Sequence, residues 1–379
     1  MSDIRILHII TGLNTGGAEM MLYKLLSTND KNQFTPKVIS LTDIGAVGKK
    51  IETLGIPVQA LGMKRGIPSP VALIKLIRLI KESKPDVIQS WMYHADLIAG
   101  ISAKFAGGIP LVWGIRHSDL SAGKNKRSTI LTATMCAKLS HYLPKKILCC
   151  SYASQQVHTE LGYCKEKMVV VPNGFDIEGF KPMPSAKSQL KQSLNIGNNS
   201  LLIGLIGRFD PQKDHLNFIN AAGILSKKNS NVHFVLCGAG IDDQNKELMG
   251  WISQTGIENK IHLLGLRDDV PQLMAGFDIY SSSSSFGEGF PNVIGEAMSC
   301  ATPCVVTDVG DSALIVGDAG LVVPPRNPVA LAAGWQELID IEPEQRQLIG
   351  LKARGRIVEK FSLPRIVLQY EQLYQSLEN

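Results

Sequence analysis

The stretch LLIGLIGRFDPQKD, residues 201–214, decides the fold class of the second half of this chain. Its first six residues form an uninterrupted apolar run, which is typical of a parallel strand covered on both faces. A loop that carries Arg208 and Lys213 follows the run directly. Doubly wound α/β sheets bind ligands outside the carboxyl ends of their strands, and both cations suit phosphate oxygens. The stretch therefore predicts a buried strand followed by an anion-binding loop.

Short β-rich runs alternate with helical patterns on both sides of this stretch. Such alternation predicts an α/β fold with two doubly wound, Rossmann-like parallel sheets covered by helices. The predicted strands are 4–11, 36–41, 87–91, 111–116, 146–151, 168–171, 201–206, 233–237, 261–264, 278–282, 303–307 and 321–323.

A polar, proline-containing stretch near the middle of the chain separates the two halves. We predict a first domain over residues 1–175 and a second over 195–355. Near the end of the chain, apolar and aromatic residues recur with a helical period. We therefore predict a C-terminal helix over 356–379, which caps the second domain or returns to the first.

Two carboxylates, Glu288 and Glu296, frame the stretch EGFPNVIGE. Glu288 falls in a predicted loop, and Glu296 falls in a helix that we expect to begin near Asn292. Carboxylates accept hydrogen bonds from paired hydroxyls, so one can bind a sugar and the other a ribose. The backbone N–H groups of Asn292 and Val293 can hold a diphosphate at the helix start. Taken singly, each residue is also compatible with a helix cap or a surface carboxylate.

The loop GLNTGGAE, residues 12–19, follows the first predicted strand and opens a helix. Its glycines let the backbone approach a ligand, and a helix start attracts phosphate. The spacing is not Gly-x-Gly-x-x-Gly, and no acidic ribose partner lies at the usual distance, so a dinucleotide site is disfavoured. Alone, the loop is equally compatible with a tight turn that binds nothing.

In this order, the three motifs resemble the retaining glycosyltransferases of family GT4, and the resemblance covers nearly the whole chain. It implies the GT-B fold, in which two Rossmann-like domains face a cleft. It also implies that Arg208 and Lys213 grip the donor diphosphate and stabilise the departing nucleotide. Glu288 would bind the transferred sugar, and Glu296 would bind the ribose hydroxyls.

The resemblance implies further contacts around the same donor. Gly16 and Gly17 would approach the donor phosphate and the acceptor, and Arg267 would lie in a turn against the base. We count Phe290, inside the carboxylate motif, among the substrate-binding residues.

Family GT4 proteins often carry a histidine after a strand of the first domain, facing the transferred sugar. His117 is our first choice for this role, although its neighbour Arg116 is a less usual one. It would contact the sugar and the developing positive charge through a ring nitrogen or its backbone carbonyl. His94, which begins a helix after another strand, is the second choice and is compatible with an acceptor-binding or a structural role.

The reaction that the resemblance implies is hexosyl transfer from a nucleoside diphosphate to an alcohol, with retention of configuration. The transition state resembles an oxocarbenium ion, and charge accumulates on the leaving diphosphate. Arg208, Lys213 and the helix N–H groups would stabilise that charge without a metal. The sequence has no Asp-x-Asp motif, so we expect no metal and no cofactor.

Charge is unevenly divided along the chain. Residues 1–175 carry 22 Lys or Arg against 11 Asp or Glu, although the whole chain has a net charge of only +5. This basic half indicates an acidic partner, either nucleic acid, a phosphorylated acceptor or an anionic membrane, or else a solvated face. Basic and apolar residues mix over 124–146, which suits an anionic membrane surface or a lipid diphosphate. No nucleic-acid-binding module is recognisable, so we expect no nucleic acid partner.

Similar family members in bacterial polysaccharide assembly extend undecaprenyl-diphosphate-linked sugars. The resemblance therefore suggests a UDP-sugar donor, with UDP-N-acetylgalactosamine as the specific hypothesis. The acceptor would be an undecaprenyl-diphosphate-linked saccharide of O-antigen or capsule assembly. Two alternatives stay open: a GT-B enzyme of other chemistry, such as a nucleotide-sugar epimerase or a phosphorylase, and a non-catalytic membrane-associated assembly partner.

Three features of the sequence bear on where the protein is located in the cell. No apolar run is long enough to predict a membrane-spanning helix, and the first residues lack the features of a signal peptide. Seven cysteines without a Cys-x-x-Cys pair are typical of buried, reduced thiols. We expect a cytoplasmic protein that is peripheral on the inner face of the cell membrane.

Overall fold

The computed structural model describes residues 3–64, 70–120 and 126–378. The chain divides into two compact units. Unit 1 comprises Met1–Gly174 with Leu363–Asn379, and unit 2 comprises Phe175–Ser362. The start of the predicted basic segment, residues 124 and 125, lies outside the described residues.

Unit 1 contains a parallel sheet of seven strands in the order β3-β2-β1-β4-β5-β6-β7. Its strands are β1 (Ile4–Ile10), β2 (Phe34–Ser40), β3 (Val58–Ala60), β4 (Val87–Trp91), β5 (Leu111–Ile115), β6 (Lys146–Cys149) and β7 (Met168–Val170). Its helices before the crossing into unit 2 are α1 (Gly17–Thr28), α2 (Gly45–Glu52), α3 (Pro70–Ser83), α4 (Tyr93–Phe105), α5 (Arg127–Leu139) and α6 (Tyr152–Glu160).

Unit 2 contains a second parallel sheet, of six strands in the order β10-β9-β8-β11-β12-β13. Its strands are β8 (Leu201–Ile206), β9 (Val232–Cys237), β10 (Ile261–Leu263), β11 (Ile279–Ser282), β12 (Cys304–Thr307) and β13 (Leu321–Val323). Its helices are α7 (Ala186–Ser193), α8 (His215–Ser226), α9 (Lys246–Ser253), α10 (Val270–Gly276), α11 (Asn292–Ser299), α12 (Ser312–Val316), α13 (Pro328–Asp340) and α14 (Pro343–Phe361).

The predicted fold class, two Rossmann-like parallel sheets, is confirmed by these two sheets. Each predicted strand is present. Strand β3 was not predicted, because its three residues are half-buried and lie at the sheet edge, where a short segment leaves no clear pattern.

The predicted single helix over 356–379 is wrong, because the chain leaves the helical conformation at Ser362 (φ −60°, ψ 145°). Pro364 follows and has no backbone N–H to continue the hydrogen bonds of α14. Helix α14 therefore ends in unit 2, and a separate helix, α15 (Leu363–Glu378), belongs to unit 1.

Helix α15 completes the core of unit 1. It packs against β1, β4 and α1, and its Ile366, Tyr370 and Tyr374 are buried. Arg116, at the end of β5, donates to the Tyr370 hydroxyl and lies over the ring of Trp91 at 4.6 Å. This less usual neighbour of His117 therefore has a structural task, which is to hold the C-terminal helix.

Two further features of the chain concern membrane-spanning helices and cysteines. Along the described part of the chain, no helix combines the length and apolar character needed to cross a membrane. All seven cysteines are buried, and none of them forms a disulfide.

Candidate active site

Loops at the carboxyl ends of the unit 2 strands carry the predicted donor motifs. The loop after β8 holds Arg208 and Lys213, and the loop after β11 holds Glu288. Because β8 and β11 are neighbours in the sheet, these two loops meet.

The closest link between them is an ion pair. Lys213 Nζ lies 2.6 Å from Glu288 Oε1, and their side chains are 17% and 9% exposed. The Ser284 hydroxyl donates to the same Glu288 oxygen at 2.8 Å. A cation and a carboxylate are thus fixed side by side at the edge of the sheet.

Arg208 points to a different partner. Its Nε donates to Asp210 Oδ2 at 3.0 Å, and its side chain is largely exposed. Burial acts to raise the pKa of Asp210, but hydrogen bonds from the Gln212 N–H and from Arg208 outweigh it and lower the pKa. Arg208 is therefore accessible to an anion, with Asp210 holding its orientation.

Helix α11 begins at Asn292, as predicted, and contains Val293 and Glu296. Its N-cap residue is Pro291, which offers no side-chain acceptor to the first turn. Burial raises the pKa of Tyr280, and the charges of Cys304, Glu296 and Glu288 add to this effect. Tyr280 lies in β11, the strand whose following loop carries Glu288.

Phe290 is not brought together with these polar groups. Its ring is buried, and its centroid lies 5.8 Å from that of Phe175 and 5.6 Å from that of Phe361. The predicted substrate-binding side chain thus belongs to the core of unit 2. A side chain at Gly295 would overlap the Phe175 ring, which explains the glycine inside α11.

Arg267 lies farther along the same sheet edge. It follows β10, two strands from β8, and pairs with both carboxylate oxygens of Asp269 at 2.8 and 2.6 Å. The neighbouring Gly265 carbonyl accepts from Gly238 N–H at 2.8 Å. The turn that carries Arg267 is therefore fixed against the loop after β9. Arg267 forms its ion pair with Asp269, whereas Glu288 forms its ion pair with Lys213.

Two residues near Glu288 escaped the sequence interpretation. Ser284 belongs to a run of five serines, 281–285, which lies before the carboxylate motif and outside all of the predicted motifs. Gly310 follows β12 with φ +60°, and a side chain there would overlap the Glu288 carbonyl. The signal for Gly310 was available, since it is a glycine in the loop after a buried strand, as Gly207 is after β8.

In unit 1, the predicted residues follow three adjacent strands. Gly16 and Gly17 follow β1, His94 follows β4 and His117 follows β5. Gly16 is the extended N-cap of α1, and the Glu19 carboxylate folds back over it. This acidic group already stabilises the helix start, so the glycine has a structural explanation beside the predicted phosphate contact.

His94 is half-buried in the first turn of α4, and burial lowers its pKa. The residue before the helix, Met92, has φ 72° and ψ 153°, which is a strained conformation for a side chain other than glycine. Its N–H donates to the Gly114 carbonyl at 2.9 Å, which holds the strained turn in place.

His117 is exposed, yet a buried network holds its main chain. The Ser154 hydroxyl donates to the His117 carbonyl at 2.8 Å, and the Ser154 carbonyl lies 2.7 Å from His158 Nδ1. His158 Nε2 lies 2.6 Å from the Tyr93 hydroxyl. Partial burial of the ring lowers the pKa of His117, against the charge of Asp119.

Within residues 3–64, 70–120 and 126–378, no three His, Cys, Asp or Glu side chains are arranged to hold a metal ion.

Two Rossmann-like sheets with this donor edge define a glycosyltransferase of the GT-B fold. Residues 15–178 match the family model described as Glycosyltransferase Family 4, and residues 200–340 match the model described as Glycosyl transferases group 1. The chain belongs to glycosyltransferase family 4.

Similar proteins agree with this assignment. The chain is 24% identical over 308 residues, 80% of its length and 78% of the relative's, to the UDP-Gal:alpha-D-GlcNAc-diphosphoundecaprenol alpha-1,3-galactosyltransferase of Escherichia coli. It is 25% identical over 272 residues, 69% and 70% of the two chains, to the N,N'-diacetylbacillosaminyl-diphospho-undecaprenol alpha-1,3-N-acetylgalactosaminyltransferase of Campylobacter jejuni. The crystal structure of Anabaena HepE in complex with UDP has a TM-score of 0.85 at 27% identity, covering 98% of this chain and 100% of that one.

Proposed function

We propose that this enzyme is a retaining glycosyltransferase that moves a sugar from a UDP-sugar to an undecaprenyl-diphosphate-linked saccharide in O-antigen or capsule assembly. UDP-N-acetylgalactosamine is the specific donor hypothesis. The 2.6 Å pair of Lys213 and Glu288 carries the proposal. A nucleotide sugar presents an anionic phosphate beside sugar hydroxyls, and this pair presents a cation beside a carboxylate.

The proposed reaction breaks the bond between the anomeric carbon and the diphosphate oxygen. A bond forms between that carbon and the acceptor oxygen, and the acceptor proton passes to the leaving phosphate. Lys213, Arg208 and the start of α11 would stabilise the charge that grows on the diphosphate. These groups supply the charge stabilisation without a metal or a cofactor. Retention rests on the family resemblance.

The other assigned residues complete this hypothesis. In unit 2, Glu288 would bind the transferred sugar, Glu296 the ribose and Arg267 the region of the base. In unit 1, His117 is the proposed active-site histidine, and the main-chain network around it favours it over His94.

The names of similar proteins support the choice of substrates. The Escherichia coli relative is named for a UDP-galactose donor, and both curated relatives are named for acceptors linked to undecaprenol through a diphosphate. The Campylobacter jejuni relative is an N-acetylgalactosaminyltransferase. The structure of HepE contains UDP.

An anionic membrane surface is the proposed place of action, on the inner face of the cell membrane. Helix α5 contains two basic residues and no acidic one, and Leu131 and Met135 on it are exposed. Helix α3 also exposes apolar side chains, Val71 and Ile74. Exposed apolar groups among cations suit a surface of anionic lipid.

The test is a donor screen with the purified full chain. UDP-N-acetylgalactosamine, UDP-N-acetylglucosamine, UDP-galactose, UDP-glucose, GDP-mannose and ADP-glucose are each offered with polyprenyl-diphosphate-linked N-acetylglucosamine. We expect a lipid product one sugar heavier from a UDP-sugar, with the anomeric configuration retained by NMR and the rate unchanged by EDTA. Interconversion of UDP-sugars without acceptor would support an epimerase, and no turnover of any donor would support a non-catalytic partner.

A further inference from the structure

The serine run Ser281–Ser285 spans the end of β11 and the loop that leads to Glu288. Its members contact three different elements. The Ser281 hydroxyl accepts from Trp335 Nε1 at 3.0 Å, inside the core. Ser283 and Ser284 instead donate to the two loops of the donor site.

Ser284 fixes the Glu288 carboxylate. Its hydroxyl, which is buried, donates to Glu288 Oε1 at 2.8 Å, the same oxygen that receives Lys213 Nζ at 2.6 Å. Each carboxylate oxygen has two acceptor positions, so these two donors satisfy Oε1 and leave Oε2 for a ligand hydroxyl. The Ser284 carbonyl itself accepts from Thr307 Oγ1 at 2.6 Å, which anchors the serine to β12.

Ser283 fixes the loop that carries Lys213. Its buried hydroxyl donates to the Lys213 carbonyl at 2.7 Å. The backbone N–H of Ser285 donates to the Gln212 carbonyl at 2.9 Å, one residue earlier in the same loop. The run therefore joins the loop after β8 to the loop after β11 through its side chains and its backbone.

We propose that Ser283 and Ser284 are positioning residues of the donor site. Ser284 orients Glu288 toward the transferred sugar, and Ser283 holds Lys213 at the diphosphate. This inference rests on the proposed function, because it takes its two ligand parts from a nucleotide sugar. Its consequence is a separation of effects: the loss of Ser284 affects the sugar, and the loss of Ser283 affects the nucleoside diphosphate.

The experiment compares Ser284→Ala and Ser283→Ala with a control from the same run, Ser285→Ala. The Ser285 hydroxyl lies 3.4 Å from the Pro211 carbonyl, which is a marginal contact, and alanine keeps the backbone hydrogen bond to Gln212. The probes are UDP, measured by calorimetry, and whichever of the four UDP-sugars in the donor screen the wild-type enzyme transfers. Thermal unfolding of each variant reports on the fold.

We expect Ser284→Ala to lower kcat/KM for the UDP-sugar by about tenfold or more, the scale of a lost hydrogen bond to a charged group. Its affinity for UDP should stay within about twofold of the wild-type value, since Lys213 is still held by Ser283. Ser283→Ala should lower the affinity for UDP by about three- to tenfold, the scale of a lost neutral hydrogen bond. Ser285→Ala should change neither quantity.

A double-mutant cycle separates positioning from folding. If Ser284 acts through Glu288, then Ser284→Ala adds no further loss of UDP-sugar affinity in a Glu288→Ala background. The inference is overturned if the two substitutions lower UDP-sugar affinity additively. It is also overturned if Ser284→Ala lowers the affinities for UDP and for the UDP-sugar equally and lowers the melting temperature. Full activity in Ser284→Ala overturns the positioning inference and leaves the proposed function standing. A wild-type protein that binds neither UDP nor a UDP-sugar overturns both.

Discussion

Lys213 Nζ lies 2.6 Å from Glu288 Oε1, although 75 positions in the chain separate the two residues. Both side chains are largely withdrawn from water. A buried ion pair is weak evidence for stability, because desolvation offsets much of the attraction between the charges. Its place at the carboxyl edge, where an anionic ligand can share Lys213, is better explained by binding than by folding.

We predict that Lys213→Ala or Glu288→Ala lowers the transfer rate by about 100- to 1,000-fold, the scale of losing one preorganised charge-stabilising group. The matched control is Lys187→Ala. Lys187 Nζ lies 2.6 Å from Asp278 Oδ1 in the same unit, but at the opposite end of β11. Initial rates of all three variants measure transfer, and circular dichroism checks that each variant is folded. Full transfer activity in either site variant would refute the assignment of Lys213 and Glu288 to the donor site.

A second prediction concerns Gly310, whose φ is +60°. Alanine there would overlap the Glu288 carbonyl and displace the loop, so we expect kcat/KM to fall by about 100-fold, the scale of a 1 Å misplacement. Gly256→Ala is the control, because Gly256 has φ +67° and no atom that a side chain would meet. Both variants should lose thermal stability, and equal activity in the two would show that Gly310 does not support the site.

A third prediction concerns Asp96, which is buried in α4 and accepts from the Ser90 hydroxyl at 2.6 Å. Burial raises its pKa to about 8. Between about pH 4 and 8 the folded protein therefore keeps a proton that the unfolded chain releases, and this group's contribution to stability is lost as pH rises.

Asp96→Asn removes this titration while keeping the shape of the side chain. Urea unfolding at pH 5, 6.5 and 8 should show the variant gaining stability relative to wild type as pH rises. Burial lowers the pKa of His8 to about 3 and that of His158 to about 4, but both histidines titrate in either protein and cancel in the difference. A difference that does not change with pH would contradict the burial of an acid form at Asp96.

A fourth prediction concerns the surface of α5. Leu131 is 63% exposed there, and Leu348 on α14 is 64% exposed. If α5 meets lipid, Leu131→Ser should weaken sedimentation with phosphatidylglycerol vesicles by about tenfold, the scale of one leucine withdrawn from water. Leu348→Ser should have no such effect. Equal binding of the wild type to neutral and anionic vesicles would count against the membrane proposal.

The fold could be predicted because buried parallel strands leave long apolar runs in the sequence, as at Leu201–Ile206. Neighbouring strands also bring their following loops together, so the contact between Lys213 and Glu288 could have been predicted from the strand order. The break at Ser362 was not predicted, because the apolar period of α15 was extended backward across it.

The contacts of individual side chains in the site depend on the direction in which each side chain leaves its loop. Sequence spacing does not indicate that direction. Phe290 lies between two motif carboxylates, yet its ring turns into the core beside Phe175. Ser284 looks like part of a simple polar run, yet its hydroxyl reaches Glu288. Such contacts arise from loop geometry, which no periodicity encodes.

The return of α15 to unit 1 affects how the protein is made. Unit 2 is one continuous segment, whereas the hydrophobic core of unit 1 includes Leu363, Ile366 and Tyr370 from the last part of the chain. Unit 1 therefore cannot complete its core during synthesis until the residues of α15 have been made, and all of unit 2 has been made before them. A chain that ends before Leu363 would keep unit 2 whole and would leave unit 1 without part of its core.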